Sequence, residues 1–332
     1  MLNIAINGFG RIGRLVYRGM LEQPDIFNVV AINDLTDAKT LAHLLKYDSV
    51  HGILAAKVSN SEDTIVVNDH EIKVFSEKDP ANLPWMDLNI EYVVESSGVF
   101  RKRAQAAKHL EAGAKKVIIS APAKDDVDAT IVLGVNNEAL KPEHEIVSNA
   151  SCTTNCLAPI MKVITDNFEV ESAFMTTIHS YTGDQRLIDA PHSDLRRSRS
   201  AAINIVPTST GAAVATGKVI PSLQGKIDGL AVRVPTPNVS LVDVVIYVER
   251  DTSIDEINSL MKDAAHGYLK NILEYSEEPL VSTDIIHNPH SSIFDAQSTM
   301  VNGRMIKLLS WYDNEWGYSQ RVIDLVKLMA ED

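Results

Sequence analysis

LNIAINGFGRIGRLVYRGMLEQ, residues 2–23, decides the fold. Its first six residues are a short apolar run with strand character, and from Arg11 onward the apolar positions recur at helical spacing. Between them stand Gly8, Gly10 and Gly13 in the pattern G-x-G-x-x-G, which gains meaning only when a strand precedes it and a helix follows. The pattern lets backbone approach a pyrophosphate and aims unpaired N–H groups at its charge. A tight turn needing positive φ would use the same glycines. Asp34, 24 positions after Gly10 at the end of the next apolar run, tips the balance. A carboxylate there accepts hydrogen bonds from an adenosine ribose and repels a 2′-phosphate, which favours NAD over NADP. Capping a helix that starts near Thr36 is the competing role for Asp34.

Working outward, apolar runs recur at 29–34, 91–98, 116–122, 129–135 and 145–151, separated by amphipathic segments such as KRAQAAKHLEAGAKK. This is a βαβ series, hence an α/β, Rossmann-type doubly wound sheet over residues 1–150. TIVVNDHEIKVF, 64–75, interrupts it with a hairpin pattern around Asn68-Asp69. After residue 151 the runs lengthen and half-alternate, as in GLAVRV and SLVDVVIYVER, with Asn302-Gly303 as a hairpin turn. That texture predicts an α+β second domain, 151–314, built on a mainly antiparallel sheet. Ser253 and Glu256 have capping-box spacing, and a final amphipathic helix, roughly 315–330, ends the chain.

The 332 residues carry 31 basic and 44 acidic side chains, a formal net charge of -13. Such a balance disfavours nucleic acid and anionic membrane as partners. No apolar run reaches the roughly 18 residues of a spanning helix, and no signal sequence opens the chain, so a cytoplasmic protein is expected.

Both cysteines lie in SNASCTTNC, 148–156. At i and i+4 on a helix their Cβ atoms would be about 5–6 Å apart, too far for a disulfide. Cys152 falls in the first helical turn, where the N–H groups and dipole favour a thiolate nucleophile. Cys156, among Leu157, Ile160 and Met161, reads as core. His179, at the end of AFMTTI, is the best partner for Cys152, with a structural histidine as the alternative. The C-x3-C spacing is poor for zinc, and no metal is expected. DLRRSRSAA concentrates Arg196, Arg197 and Arg199 in an acidic chain, and PTSTGAA offers Thr210 and Gly211 at a helix start. Both suit phosphate oxygens, although solvated charges and simple capping explain them equally.

INGFGRIGR, ASCTTNC, HSYTGDQ, DLRRSRSAA, PTSTGAA, VRVPTPNVS and WYDNEWGYS, in this order, resemble the signature segments of the phosphorylating glyceraldehyde-3-phosphate dehydrogenases of bacterial type. The resemblance spans essentially the whole chain. It implies a glycolytic and gluconeogenic, NAD-dependent oxidoreductase and a homotetramer, with glyceraldehyde 3-phosphate and inorganic phosphate as small-molecule substrates. Carried over by motif, Cys152 is the nucleophile and His179 the base. Gly8, Gly10, Arg11, Ile12, Gly13, Asp34, Lys78, Ser97, Gly98 and Ser120 would hold the cofactor, and Asn314 would orient the nicotinamide. Thr182 and Arg233 would take the substrate phosphate, while Ser151, Thr153, Arg197, Thr210 and Gly211 serve the substrate or the attacking phosphate. Lys78 and Ser97 stand where the family commonly has arginine and threonine. Ala190 replaces a frequent leucine and opens room for NADP, against the effect of Asp34. Erythrose-4-phosphate dehydrogenase is the related alternative, disfavoured by Tyr181-Thr182-Gly183 and Ser209-Thr210-Gly211; a non-catalytic dinucleotide-binding protein is another.

Overall fold

The computed structural model describes residues 1–331 and divides into two compact units. Residues 1–131, 138–150 and 319–331 form the first, and 132–137 with 151–318 form the second.

Nine strands make the sheet of the first unit: β1 (Leu2–Asn7), β2 (Phe27–Asn33), β3 (Val58–Asn60), β4 (Thr64–Val67), β5 (His70–Phe75), β6 (Tyr92–Glu95), β7 (Lys116–Ile119), β8 (Ala129–Thr130) and β9 (Ile146–Ser148). Their order is β3-β4-β5-β2-β1-β6-β7-β9-β8. The run from β5 through β2, β1, β6, β7 and β9 to β8 is parallel. Ile4, Ala5, Ile6, Val93, Val94, Ile118 and Ile119 are fully buried, as strands covered on both faces must be. The chain order reverses at β1, with β2 on one side and β6 on the other, and ligands of such sheets bind at that switch point. Helix α1 (Arg11–Leu21) buries Leu15, Val16, Tyr17 and Met20. Helix α2 (Ala38–Lys46) is capped by Asp37, which accepts the Thr40 N–H.

The hairpin is present, with Asn68 and Asp69 both at positive φ between β4 and β5, the backbone that a two-residue hairpin turn requires. KRAQAAKHLEAGAKK does not form one continuous helix. It breaks at Ala107 into α3 (Arg103–Ala106) and α4 (Lys108–Glu111). The apolar run 129–135 yields only the two residues of β8, and 132–137 group with the second unit.

A polar chain lies buried at the carboxyl ends of β1 and β6. Trp85 Nε1 donates to His109 Nδ1 (3.0 Å), so His109 Nε2 carries its proton toward Glu95 Oε2 (3.1 Å). Glu95 also accepts Asn7 Nδ2 (2.5 Å) and both the N–H and Oγ of Ser97 (2.9 and 2.5 Å). Asn7 in turn accepts Asn33 Nδ2 at 2.7 Å.

The second unit contains α5 (Cys152–Asn167), β10 (Val170–Ser180), β11 (Val206–Ser209), α6 (Ala212–Val219), β12 (Ile227–Val234), β13 (Ser240–Val248), α7 (Ile254–His266), β14 (Leu273–Ser276), β15 (Ser292–Asp295), β16 (Met300–Asn302), β17 (Met305–Tyr312) and the start of α8 (Trp316–Glu331). Its sheet runs β11-β12-β10-β13-β17-β15-β14, with β16 paired to β17. Most pairs are antiparallel, but β10–β12 and β14–β15 are parallel. Side chains alternate across each strand. In β10 a register shift between Val170 and Ser172 puts Ala173, Met175, Thr177 and His179 on the buried face. Tyr312 of β17 is buried too. Of the capping box only half forms: Ser253 accepts the Glu256 N–H, while the Glu256 carboxylate turns to Arg250 and Thr252.

Replacing Glu95 by Ala strips two buried donors, Asn7 Nδ2 and His109 Nε2, of their acceptor, at about 1–3 kcal/mol for each group left unpaired, while the donors of exposed Ser97 can turn to water. A fall of at least about 2 kcal/mol in unfolding free energy is expected, read from urea denaturation.

Candidate functional site

Why does Cys152 face His179? Ala150, at φ 54, turns the chain, and Ser151 then caps α5 by accepting the Thr154 N–H at 3.0 Å. That cap fixes Cys152 as the first helical residue. The alternation of β10 fixes His179 inward, and the two meet with Sγ 3.6 Å from Nε2. Tyr312 braces the arrangement, its hydroxyl 2.8 Å from Thr153 Oγ1 and 2.8 Å from Thr177 Oγ1. Thr153 is thereby committed through its side chain, leaving its backbone N–H in the open first turn of the helix.

Register supplies the third group. His179 pairs with Arg233 on the parallel strand β12, and Arg233 Nη1 lies 2.7 Å from His179 Nδ1 and 2.9 Å from the Ser180 carbonyl. Burial lowers the His179 pKa from its ordinary value to about 3, and the Arg233 charge adds to the drop. Burial raises the Cys152 thiol, with Arg233 pulling the other way. Burial thus works against the charged form of each partner, while the start of α5 and the Arg233 charge favour the thiolate. Cys152 remains half-buried and reachable, whereas Cys156 is sealed and its thiol is pushed up to about 12.

The arginine cluster also resolves. Arg199 pairs with Asp189 at the surface. Arg197 turns inward, bonding Asp184 Oδ2 (2.7 Å), Thr208 Oγ1 (2.9 Å) and the Ser209 carbonyl (3.2 Å). It is near enough to lower the pKa of both His179 and Arg233, so the two guanidinium groups share one field. Thr210 Oγ1 accepts the Ala212 N–H at the start of α6, whose N-cap is Gly211. Thr182 sits half-buried where its carbonyl closes a turn to Gln185. Asn314 Oδ1 accepts from Ser180 Oγ (2.9 Å) and Ser240 Oγ (2.8 Å), which leaves its amide NH2 as the donor end.

In the first unit a cavity of about 390 Å³ opens at the carboxyl ends of β1, β2 and β6. Gly8, Gly10, Asp34, Lys78 and Ser97 line it. Gly8, at φ +90, has no room for a side chain: a Cβ would come within 2.4 Å of Ser97 N. At Gly13 it would meet the Gly8 carbonyl oxygen at 2.2 Å. Gly10 is the N-cap of α1, provides no side-chain cap, and has nothing within 4 Å of where a Cβ would lie. The cradle and the uncapped helix start together fit a pyrophosphate. Asp34 does not cap a helix, which corrects that alternative, because α2 begins at Ala38 under Asp37. Its carboxylate instead accepts the N–H groups of Phe9 (2.8 Å) and Thr36 (3.0 Å). Exposed Leu35 and Val99, with Phe100, give the cavity apolar walls suited to a flat base.

Other expected cofactor residues lie around the cavity rather than in its lining. Ile12 and Gly13 are in α1, Gly98 follows Ser97 at φ +73, and Ser120 directly follows β7 with its N–H on the Glu95 carbonyl. Arg11 is paired with Asp48. Sequence reading missed Asn7, Asn33, Glu77 and Ser96 in the lining; the first two are the last residues of parallel strands, a position that itself marks ligand sites. It also missed Tyr312, for which no local pattern exists.

Residues 2–103 match the family profile described as glyceraldehyde 3-phosphate dehydrogenase, NAD binding domain, and 151–314 match its C-terminal domain. The chain belongs to the glyceraldehyde-3-phosphate dehydrogenase family. It is 59% identical over 331 residues to the glyceraldehyde-3-phosphate dehydrogenase of Geobacillus stearothermophilus, covering 99% of this chain and 98% of that protein. Identity to glyceraldehyde-3-phosphate dehydrogenase 1 of Bacillus cereus is 60% over 332 residues, 99% of each chain. The Thermotoga maritima protein of the same name is 57% identical over the full length of both. Family membership agrees with the resemblance read from the signature segments, with the α/β plus α+β fold class, and with NAD as cofactor of an oxidoreductase. Among the described residues no helix is long and apolar enough to cross a membrane.

The depressed His179 pKa has a consequence for stability. Between its unfolded value of about 6.5 and its folded value of about 3 the unfolded chain binds a proton that the folded chain refuses. Its contribution is fully present above the unfolded value and is lost as pH falls through that window. His179→Gln should flatten acid destabilisation there, measured by chemical denaturation at stepped pH.

Proposed function

We propose that the chain catalyses oxidative phosphorylation of D-glyceraldehyde 3-phosphate to 1,3-bisphosphoglycerate, using NAD+ and inorganic phosphate. The supporting observation is the 3.6 Å contact of Cys152 Sγ with His179 Nε2, next to two arginines, in a chain whose relatives carry this enzyme's name along their whole length. In this reading, residues 1–150 with 315–332 bind the dinucleotide and 151–314 carry the chemistry.

The Cys152 sulfur adds to the aldehyde carbon, its proton relayed through His179 Nε2 to the carbonyl oxygen, which gives a hemithioacetal and leaves the imidazole neutral. Bound NAD+ supplies the hydride acceptor. His179 removes the hemithioacetal hydroxyl proton as the carbon is oxidised, leaving a thioester on Cys152. A phosphate oxygen then attacks the acyl carbon, the C–S bond breaks, and the thiol is restored. Arg233 and Thr182 hold the substrate phosphate; Ser151, Thr153, Arg197, Thr210 and Gly211 serve the substrate or the attacking phosphate. The open N–H groups at the starts of α5 and α6 favour both anions. Gly8, Gly10 and Gly13 admit the pyrophosphate, with Arg11 and Ile12 at the helix start. Asp34 takes the ribose, Lys78, Ser97 and Gly98 border the adenine side, Ser120 lies further along the sheet, and Asn314 orients the nicotinamide through its free NH2.

The chain acts in the cytoplasm as a homotetramer. In support of assembly, Leu187, Ile188, Leu195, Ile203 and Ile205, all within one segment after β10, are each at least 70% exposed, a concentration of apolar surface that favours burial against a copy.

NADH formation should require aldehyde, NAD+ and phosphate together, followed by its absorbance with each omitted in turn. Cys152→Ser should lose turnover while NAD binding by calorimetry persists; His179→Asn should reduce kcat by about 10²–10⁴. Asp34→Ala should raise kcat/KM for NADP relative to NAD, since the carboxylate that repels the 2′-phosphate is gone.

A further inference from the structure

We propose that a second cavity of the first unit, which shares no lining residue with the dinucleotide cavity, binds a small, neutral, planar molecule of one or two aromatic rings that carries a hydrogen-bond acceptor. The inference goes beyond the reaction proposed above and does not rest on it.

The cavity measures about 310 Å³ and lies between the second half of α1, the turn that leads into β2, and the hairpin of β4 and β5. Ligand sites run from roughly 300 Å³ upward and are mostly apolar, with a few placed polar groups. These walls have that character. Tyr17, Met20 and Leu21 share one face of α1 through their i, i+3 and i+4 spacing, and Phe27 and Val29 share one face of β2. Val67 closes the far side, and among the described residues no aspartate, glutamate, lysine or arginine lines the space.

The polar side chains of the wall are committed, with one exception. Asn28 Nδ2 donates to Asn3 Oδ1 (2.8 Å), Asn68 Oδ1 accepts the Lys57 N–H (2.9 Å), and His70 Nε2 donates to the Val29 carbonyl (2.9 Å). Tyr17 is the exception. It is 2% exposed, its ring is packed edge-on against Phe9 with centroids 6.1 Å apart, and its hydroxyl is buried without a partner. Leaving such a group unpaired is costly. Bulk water does not reach it, and a single water inside the cavity needs roughly two to four polar partners of its own. On this wall only the Tyr17 hydroxyl is both buried and unpaired.

An aromatic guest with one acceptor atom meets both conditions. Its rings cover the apolar side chains, and its acceptor takes the hydroxyl proton. Burial raises the Tyr17 pKa above that of an ordinary phenol, so the proton is there to donate. With no charged side chain on the wall, an ion would lose its hydration and gain no partner for its charge. The guest is therefore neutral.

The full-length protein, carrying 13C at its methionine methyls and saturated with NAD+, is titrated separately with quinoline, naphthalene, N-methylquinolinium and 2-naphthoate. The four share a two-ring shape and differ in acceptor and charge. The reporter is the Met20 methyl signal, identified as the one missing from Met20→Leu; Met20 lines this cavity and not the dinucleotide one. Quinoline should shift that signal saturably, and both ions should bind more weakly than quinoline. Tyr17→Phe, which removes a single oxygen, should retain naphthalene and weaken quinoline relative to it by about tenfold, the worth of a hydrogen bond to an otherwise unpaired buried group. The proposal fails if no compound moves the Met20 signal, if either ion matches quinoline, or if Tyr17→Phe leaves the ratio of quinoline to naphthalene affinity unchanged. Should the variant misfold, a crystal of the parent protein soaked with quinoline decides. The ring nitrogen is expected at hydrogen-bond distance from the Tyr17 hydroxyl, and an unoccupied cavity or a nitrogen turned elsewhere overturns the assignment.

Discussion

A single contact between sulfur and imidazole organises the second unit. Burial raises the thiol and lowers the imidazole, while the start of α5 and the positive charge of Arg233 favour the thiolate. Everything else in the neighbourhood makes the contact possible without making it permanent. Ser151 begins the helix at the right residue, a register shift early in β10 sends the odd-numbered side chains inward, and Tyr312 ties helix to strand through two threonine hydroxyls.

The first unit solves a different problem, which is to bring backbone close to a highly charged ligand. Absence of atoms does that work. At Gly8 and Gly13 no side chain fits, and at Gly10 one would fit but would stand over the open helix start. Beneath this emptied surface lies its opposite, a fully bonded polar chain from Trp85 through His109 and Glu95 to Asn7 and Asn33. A rigid floor under a bare cradle is a consistent design, because hydrogen bonds inside a low-dielectric interior fix orientation strongly.

Much of this was legible in the chain itself. Strand-glycine-helix order, the hairpin turn at Asn68-Asp69, the first-turn position of Cys152 and the core character of Cys156 all follow from local pattern, and the structure bears each out. What local pattern could not give depends on register between distant segments. Arg233 reaches His179 only because β12 runs parallel to β10, and GLAVRV by itself suggests a strand without a direction. The electrostatics of Cys152 are half visible for a related reason: the dipole of a helix start can be read in a sequence, whereas the desolvation that opposes it is a property of packing. Arg197 could not be separated from Arg196 and Arg199 until Asp184 was seen to hold it inward.

The sealed state of Cys156 gives the chain a built-in gauge of its own integrity. Its sulfur is enclosed by Ser292, Ser310 and the carbonyl of Trp311, on strands that separate only when the sheet opens. A folded molecule therefore presents one modifiable sulfhydryl to a small reagent and an unravelled one presents two. The second count becomes a clock for global opening, ticking at the rate at which the sheet comes apart.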